Sequence, residues 1–373
     1  MLHTALCDLL GIEYPILQSG MRRVAGPDLV AEVSNAGGLG ILAGLALSAD
    51  ELRAEIRKVR ERTDKPFGVN LWLHTELRPP ADPAALPGER VRAVQTELNR
   101  FRRELEIPES LAAPARTPDT IEEAFEVILQ ERVPVWSIGL GDPGPAMAAR
   151  CRERGVRVIA MVATVEDALA VAASGVDAVV AQGMEAGGHR STWVKGASRD
   201  ASSVGSLSLI PQVVDAVGVP VIAAGGLADG RGVAAALALG ASGALFGTRF
   251  VATRESKAAD FWKRAIVEGS SEATVSTDAF TGLYARALNN RFRTEYEASG
   301  APVLPSLLQS SAAQDIYQAA AAQGKGDYFP LWSGQSAGLI HDIPGAAEVV
   351  RSLVAETRAA IEALCALRTG PPA

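Results

Sequence analysis

Eight short apolar segments in series, each followed by an amphipathic helical pattern, predict an α/β protein: a TIM (β/α)8 barrel with a small helical second domain or cap near its C-terminus. Two further observations sharpen this. The segments are apolar throughout rather than alternating, as strands of a parallel sheet covered on both faces must be. The rhythm also stops after the eighth, where helix-like stretches with polar joins take over.

In order, the strand candidates start at Pro15 (PILQSG), Leu39 (LGILAG), Phe67 (FGVNLWL), Val133 (VPVWSIGL), Arg157 (RVIAMVA), Ala178 (AVVAQG), Pro220 (PVIAAGG) and Gly243 (GALFGTRF). Between them lie helical patterns such as SADELRAEIRKVRERT and EDALAVAASG. A doubly wound sheet is the competing topology, but eight consecutive units are long for it. Successive starts lie 21 to 28 residues apart except for two swollen intervals, 66 residues after Phe67 and 42 after Ala178. Both swellings fall between a strand and its following helix, which in a barrel is the C-terminal face where active sites are built. The first, 74–118, carries PPADPAALPGER, a charged helix near 89–106 and PESLAAPARTP. Its prolines mark it as an excursion, either a lid or a contact between copies in a homo-oligomer. The second, 184–205, contains His189. The expected domain plan is a barrel over 1–254 and a helical substrate-side domain over 255–330 with no strand in it. A C-terminal segment over 331–373 follows, its final helix (about 344–368) returning to the barrel.

Hydrophobic residues make up 48% of the 373 residues and aromatics only 5%, so a large core is expected, built mainly from Ala, Val, Leu and Ile. A net charge of −7 with no basic stripe argues against a nucleic-acid partner. No uncharged apolar run reaches the ~20 residues that a bilayer span needs. The opening MLHTALCDLLGIEYP lacks the basic and apolar regions of a secretory leader. Cys7, Cys151 and Cys365 are too far apart, and odd in number, for a disulfide framework. The expectation is a cytoplasmic protein with no membrane association.

The stretch PVIAAGGLADGRGVAAALALGASGALFGTRF carries the strongest local signal. Gly225 and Gly226 end the seventh strand, where bare backbone lets a ligand approach. Gly247 and Thr248 follow the eighth, offering N–H groups and a hydroxyl. Loops after strands seven and eight are common phosphate sites in barrels, although glycines there also serve simple tight turns. Asp229 is placed to cap the next helix. Asn70 in the third strand and Gln182 at the end of the sixth each admit two roles, bonding a heteroaromatic edge or capping a loop backbone. Two amides and two Gly-rich turns on one face suggest a ring-plus-phosphate ligand such as FMN.

His189, one of four histidines, follows Gly187 and Gly188 in an enlarged loop on that face. A lone histidine is more often structural, yet a neutral imidazole so placed can take a proton near pH 7. His3 and His74 lie outside any comparable constellation, and His341 reads as structural. No histidine pairs with another His or Cys at ligand spacing, so no metal is expected. No G-x-S-x-G nucleophile elbow is present.

Taken together, PILQSGM, VSNAGGLGIL, PFGVNLW, QGMEAGGHR, LIPQVVDAVGVPVIAAGGLADGRGVAAALALGA, GTRF and LWSGQSAGL resemble the nitronate monooxygenases, formerly called 2-nitropropane dioxygenases, over nearly the whole chain. The resemblance implies FMN at the C-terminal face. Gly20 and Met21 would border the flavin, Asn70 and Gln182 would bond its ring, and Gly187 and Gly188 would pack nearby. Gly225, Gly226, Gly247 and Thr248 would hold the phosphate, while Trp332, Gly334 and Gln335 would close the site. His189 falls on the family's catalytic histidine. Its implied role is to take the α-proton of a nitroalkane or orient a nitronate, which O2 then oxidises to a carbonyl product and nitrite through the flavin. Ser191 and Thr192 stand where the family often has glycine, Ser242 replaces a common aspartate, and RRVAGP replaces a usual Thr-Pro after Met21.

The flavin-dependent enoyl-acyl carrier protein reductases are the nearest rival, sharing the fold and a Gly-Gly-His loop. LWSGQSAGL looks more like the monooxygenases. A non-catalytic flavin-binding protein is the alternative from another class.

Overall fold

The computed structural model describes residues 2–74, 81–193 and 203–367. Parts of both expected excursions (75–80 and 194–202) and the tail from 368 lie outside the described residues. Eight parallel strands close into a barrel. They are β1 (Ile16–Gln18), β2 (Leu39–Ala43), β3 (Phe67–Trp72), β4 (Val135–Gly139), β5 (Arg157–Val162) and β6 (Ala178–Gln182). After the two-residue β7 (Gly188–His189), which lies outside the barrel, come β8 (Val221–Ala224) and β9 (Gly243–Phe246). The ring closes where Ile16 of β1 pairs with Ala244 of β9. The TIM barrel read from the apolar rhythm is therefore the fold.

The two-sided burial expected of these strands is realised. Leu17, Leu39, Ile41, Val135, Ile159, Val180 and Ile222 pack as one cluster inside the barrel. The short helix Ala5–Leu10 joins that cluster through Leu6, Cys7 and Leu10, and Thr4 beside it donates to the Ser242 carbonyl at 2.6 Å. Alternate residues, among them Leu42, Val69, Leu71, Trp136, Val158 and Val179, belong to the outer cluster shared with the helices. Gly40 of β2 shows how close that outer packing is, because a Cβ there would lie 2.2 Å from the Val30 carbonyl of helix Pro27–Asn35.

The helices start where the sequence signals place them. Ser48 and Glu51 form a reciprocal capping box on Ala49–Arg60, with Ser48 N–H donating to Glu51 at 2.8 Å and Glu51 N–H to Ser48 at 3.3 Å. Asp229 caps Gly230–Ala238 by accepting from the Arg231 and Gly232 amides. The final helix, Ala346–Ala366, packs on Gly230–Ala238 and on Pro27–Asn35. None of the helices among the described residues is long and apolar enough to cross a membrane.

A second layer covers the barrel's C-terminal rim. Its helices include Asp260–Val267, Arg291–Ala298 and Gln314–Ala322. The expectation of a strandless region over 255–330 is corrected here: β10 (Thr274–Thr277) and β11 (Ala285–Leu288) form an antiparallel hairpin, and β7 adds a third strand. Each strand is only four residues long, too short for its pattern to stand out from the helical stretches around it, and the β-branched run TVST and Gly282 were the local signals. The first excursion is no separate arm. Its helix Gly88–Glu104 joins the second layer through Arg102, which is 2% exposed and donates to Asp315 at 2.7 Å, Gln95 and Asn99 at 2.8 Å and the Ala312 carbonyl at 2.8 Å.

Candidate active site

A cavity of about 580 Å³ opens at the C-terminal rim between barrel and cap. Such a volume is in the range of small-molecule and cofactor sites. Gly20 and Met21 reach it from the end of β1, Asn70 from β3, Gln182 from β6, and Gly225, Gly226, Gly247 and Thr248 from β8 and β9. Gly187, Gly188 and His189 come from the enlarged loop, and Trp332 from the C-terminal segment. Gly334 and Gln335 do not line it. Gly334 N–H donates to the Thr248 hydroxyl at 2.9 Å, and Gln335 borders a shallower depression with Glu185 and Ser271.

Glycine is demanded at specific points of this rim. Gly225 and Gly226 have φ of 98° and 73°, the left-handed region that side chains resist. A Cβ on Gly20 would sit 2.4 Å from Asn70 Cβ, so the first strand passes the third with no room to spare.

The two amides are both held by protein. Asn70 Nδ2 donates to the Ser137 carbonyl at 3.1 Å and its hydroxyl at 3.2 Å. Gln182 Nε2 donates to the His189 carbonyl at 3.0 Å, and its Oε1 accepts the Ser191 N–H at 2.9 Å. Its carboxamide thus braces the His189 loop, with a second donor hydrogen and a second lone pair left over. Ser191 anchors the same loop to the barrel by donating to the Met161 carbonyl at 2.7 Å and accepting the Leu140 N–H at 2.8 Å. A glycine at this position could make neither bond.

His189 is fixed from both layers. Its backbone pairs with Ala285 of β11, and the next residue donates to the Tyr284 carbonyl at 3.0 Å. Its ring lies against Trp72, 4.7 Å between centroids and edge-on, and against Trp332 at 5.2 Å. Nε2 lies 2.9 Å from the Thr281 hydroxyl, on the turn between β10 and β11. Burial, with a smaller contribution from His74, pushes the imidazole pKa down to about 3, so the ring is neutral in ordinary buffers.

His74, expected to stand apart, is buried and close enough to His189 for its charge to matter. Spacing could not have shown this, because 115 positions separate the two in the chain. His3 is part of an exposed pair with Asp8 at 2.9 Å, and His341 is exposed.

The cavity's electrostatics escaped the sequence reading. Arg22, Arg23 and Arg116 line it, and among the described residues that do so there is no Asp or Glu. Arg22 is exposed, yet partial desolvation and the neighbouring Arg23 lower its pKa. Tyr317 also lines the cavity and donates to the Phe280 carbonyl at 3.0 Å, whereas Tyr284, Lys325 and Tyr328 do not line it. A site so built attracts anions, keeps one histidine uncharged and screens it between two indoles.

Known proteins resemble this chain over most of its length. The family model for nitronate monooxygenase matches residues 3–356. A probable nitronate monooxygenase of Staphylococcus saprophyticus is 36% identical over 339 residues, covering 91% of this chain and 93% of that one. Among solved structures, a nitroalkane oxidase from Streptomyces ansochromogenes superposes with a TM-score of 0.86 at 36% identity, covering 97% of this chain and 100% of that one. FabK from Thermotoga maritima follows at 0.77 and 34%, covering 98% and 100%. Matched by a family model over residues 3–356 and 36% identical to a relative over 91% of its own length, the chain belongs to the nitronate monooxygenase family.

Proposed function

We propose that this oxidoreductase uses FMN and O2 to oxidise alkyl nitronates to a carbonyl product and nitrite, with His189 as the base when a neutral nitroalkane is taken. The observation that carries the reading is the cavity itself, which sets an uncharged, indole-flanked histidine in a lining of three arginines with no carboxylate among the described residues. A nitronate is an anion, and such a lining favours it over neutral competitors.

FMN fits the residues present. The left-handed Gly225–Gly226 pair and the Gly247–Thr248 turn leave bare backbone at the strand ends where barrels hold a phosphate ester. Asn70, with the remaining capacity of Gln182, offers amides to a ring edge, while Gly20, Met21, Gly187 and Gly188 border the space beside it. When bound, FMN supplies the electron-transfer chemistry between nitronate and O2. The protein's own residues bind the anion through the arginines, exclude water with Trp72 and Trp332, and hold the proton acceptor in place. With a pKa of about 3, His189 keeps a proton poorly unless an anion forms beside it. Abstraction from a nitroalkane is therefore favourable only as the nitronate charge develops, and a preformed nitronate is the better substrate.

The test uses the purified holoenzyme, mixed anaerobically with ethyl nitronate and separately with NADH while the flavin absorbance is followed. A rapid change with nitronate and none with NADH is expected. Fast bleaching by NADH would overturn the reading in favour of an NADH-dependent reductase.

A further inference from the structure

The Thr281 hydroxyl meets three groups: His189 Nε2 at 2.9 Å, the Leu283 carbonyl at 3.2 Å and, more weakly, the Leu283 N–H at 3.4 Å. A hydroxyl has one proton and two lone pairs. Leu283 is buried, and its carbonyl has no other partner among the described residues, so the proton is best placed there. The oxygen then accepts from its remaining neighbours, which requires a hydrogen on His189 Nε2. The other ring nitrogen, Nδ1, makes no hydrogen bond to the described residues, and His189 lines the cavity. The turn holding Thr281 is rigid. Thr281 and Gly282 N–H groups both donate to the Asp278 carbonyl, at 3.1 and 2.7 Å. Gly282 has a φ of 82°, and a Cβ there would lie 2.3 Å from the Leu304 carbonyl.

We propose that Thr281 is a positioning residue that fixes His189 as its Nε2–H tautomer, so that Nδ1 is the atom that takes the substrate proton. This rests on the base role argued above. In the step, the α C–H bond of the nitroalkane breaks, its electron pair moves into the nitro group to form the nitronate, and the proton bonds to Nδ1. The imidazolium formed still donates through Nε2 to Thr281. The cap hairpin thereby sets the protonation geometry of a residue carried by the barrel loop.

Two measurements on the holoenzyme test it. With ¹⁵N-labelled histidine, only four ring systems need assigning, and long-range ¹H–¹⁵N correlation reads the tautomer of each. Wild type is expected to show a protonated Nε2 and a bare Nδ1 for His189, with Thr281→Val mixing or reversing them and Thr281→Ser restoring them. In parallel, Thr281→Val should lower kcat for neutral nitroethane about 10-fold, below the ~10²–10⁴-fold cost of losing a base, and far more than it lowers kcat for ethyl nitronate. Thr281→Ser should recover the nitroethane rate. A protonated Nδ1 in wild type overturns the proposal, as does an equal loss with both substrates, which would mark Thr281 as merely structural. If His189→Asn left nitroethane turnover intact, the base reading would fall, while the tautomer assignment would stand or fall on the spectra alone.

Discussion

The two halves of the cavity rim are built on different principles. The side formed by β1, β8 and β9 turns on backbone: Gly20, Gly225, Gly226 and Gly247 clear space beside Met21, Arg22 and Thr248. The side around His189 is side chains brought from afar, with Trp72 from β3, Thr281 and the paired β11 from the cap, and Trp332 from the C-terminal segment. On the proposed function, the first half constrains shape and the second tunes a proton. Substitutions on the first should act on cofactor retention, and those on the second on which substrate form is used.

The largest effect expected is on the second half. His189→Asn should cut turnover of neutral nitroethane by ~10²–10⁴-fold and spare ethyl nitronate, since an anion has no α-proton left to lose. Steady-state oxygen uptake with each substrate reads this directly, and parallel losses would mean that His189 serves binding alone. On the glycine side, Gly225→Val combines a forbidden φ with a Cβ 3.0 Å from the Gly183 carbonyl. At about 1–3 kcal/mol of strain, the purified variant should carry less than a tenth of the wild-type flavin per chain. A full complement of flavin absorbance would show that the turn tolerates a side chain.

Away from the cavity, Arg102 ties the helix Gly88–Glu104 to the second layer. Arg102→Met removes a buried guanidinium's bonds to Asp315, Gln95, Asn99 and the Ala312 carbonyl. A loss of about 2–3 kcal/mol should appear as a lower thermal midpoint, tempered because Asp315 stays half exposed and can rehydrate. Arg22→Gln should raise KM for ethyl nitronate about 3- to 10-fold with little change for nitroethane, and weaken the salt dependence of the former. If KM rose for both alike, the arginine would be shaping the mouth rather than selecting charge.

The smallest effect is a missing one. With its pKa held near 3 by burial, folded His189 binds fewer protons than the unfolded chain at every pH between about 3 and 6.5. The stability associated with this group is therefore complete above about 6.5 and erodes as pH falls toward 3. No acid limb from His189 should appear near pH 6.5 in kcat/KM for ethyl nitronate. A limb at that pH would show that the ring is hydrated in the working enzyme.

The same contrast explains what could be read from the chain alone. The barrel strands were legible because burial on both faces leaves an unbroken apolar run, and the rim glycines because a bare backbone is a local requirement. Asp229 as a cap was legible for the same reason. Thr281 was not, for a lone threonine 92 positions from His189 carries no periodicity or spacing. His74 was hidden by distance in sequence, and the exposed Arg22, Arg23 and Arg116 looked like ordinary surface charge because only the fold brings them to one cavity. The role of Gln182 was half visible: an amide at a strand end was flagged, but its two bonds to the His189 loop depend on where that loop returns.

Gly187 and Gly334 meet backbone to backbone. A Cβ on the first would lie 2.5 Å from the nitrogen of the second, and one on the second 2.8 Å from the nitrogen of the first. No enlargement of either can be offset by shrinking the other, because neither has anything left to remove. A side chain at either position must therefore rebuild the crossing of two chain segments nearly 150 residues apart.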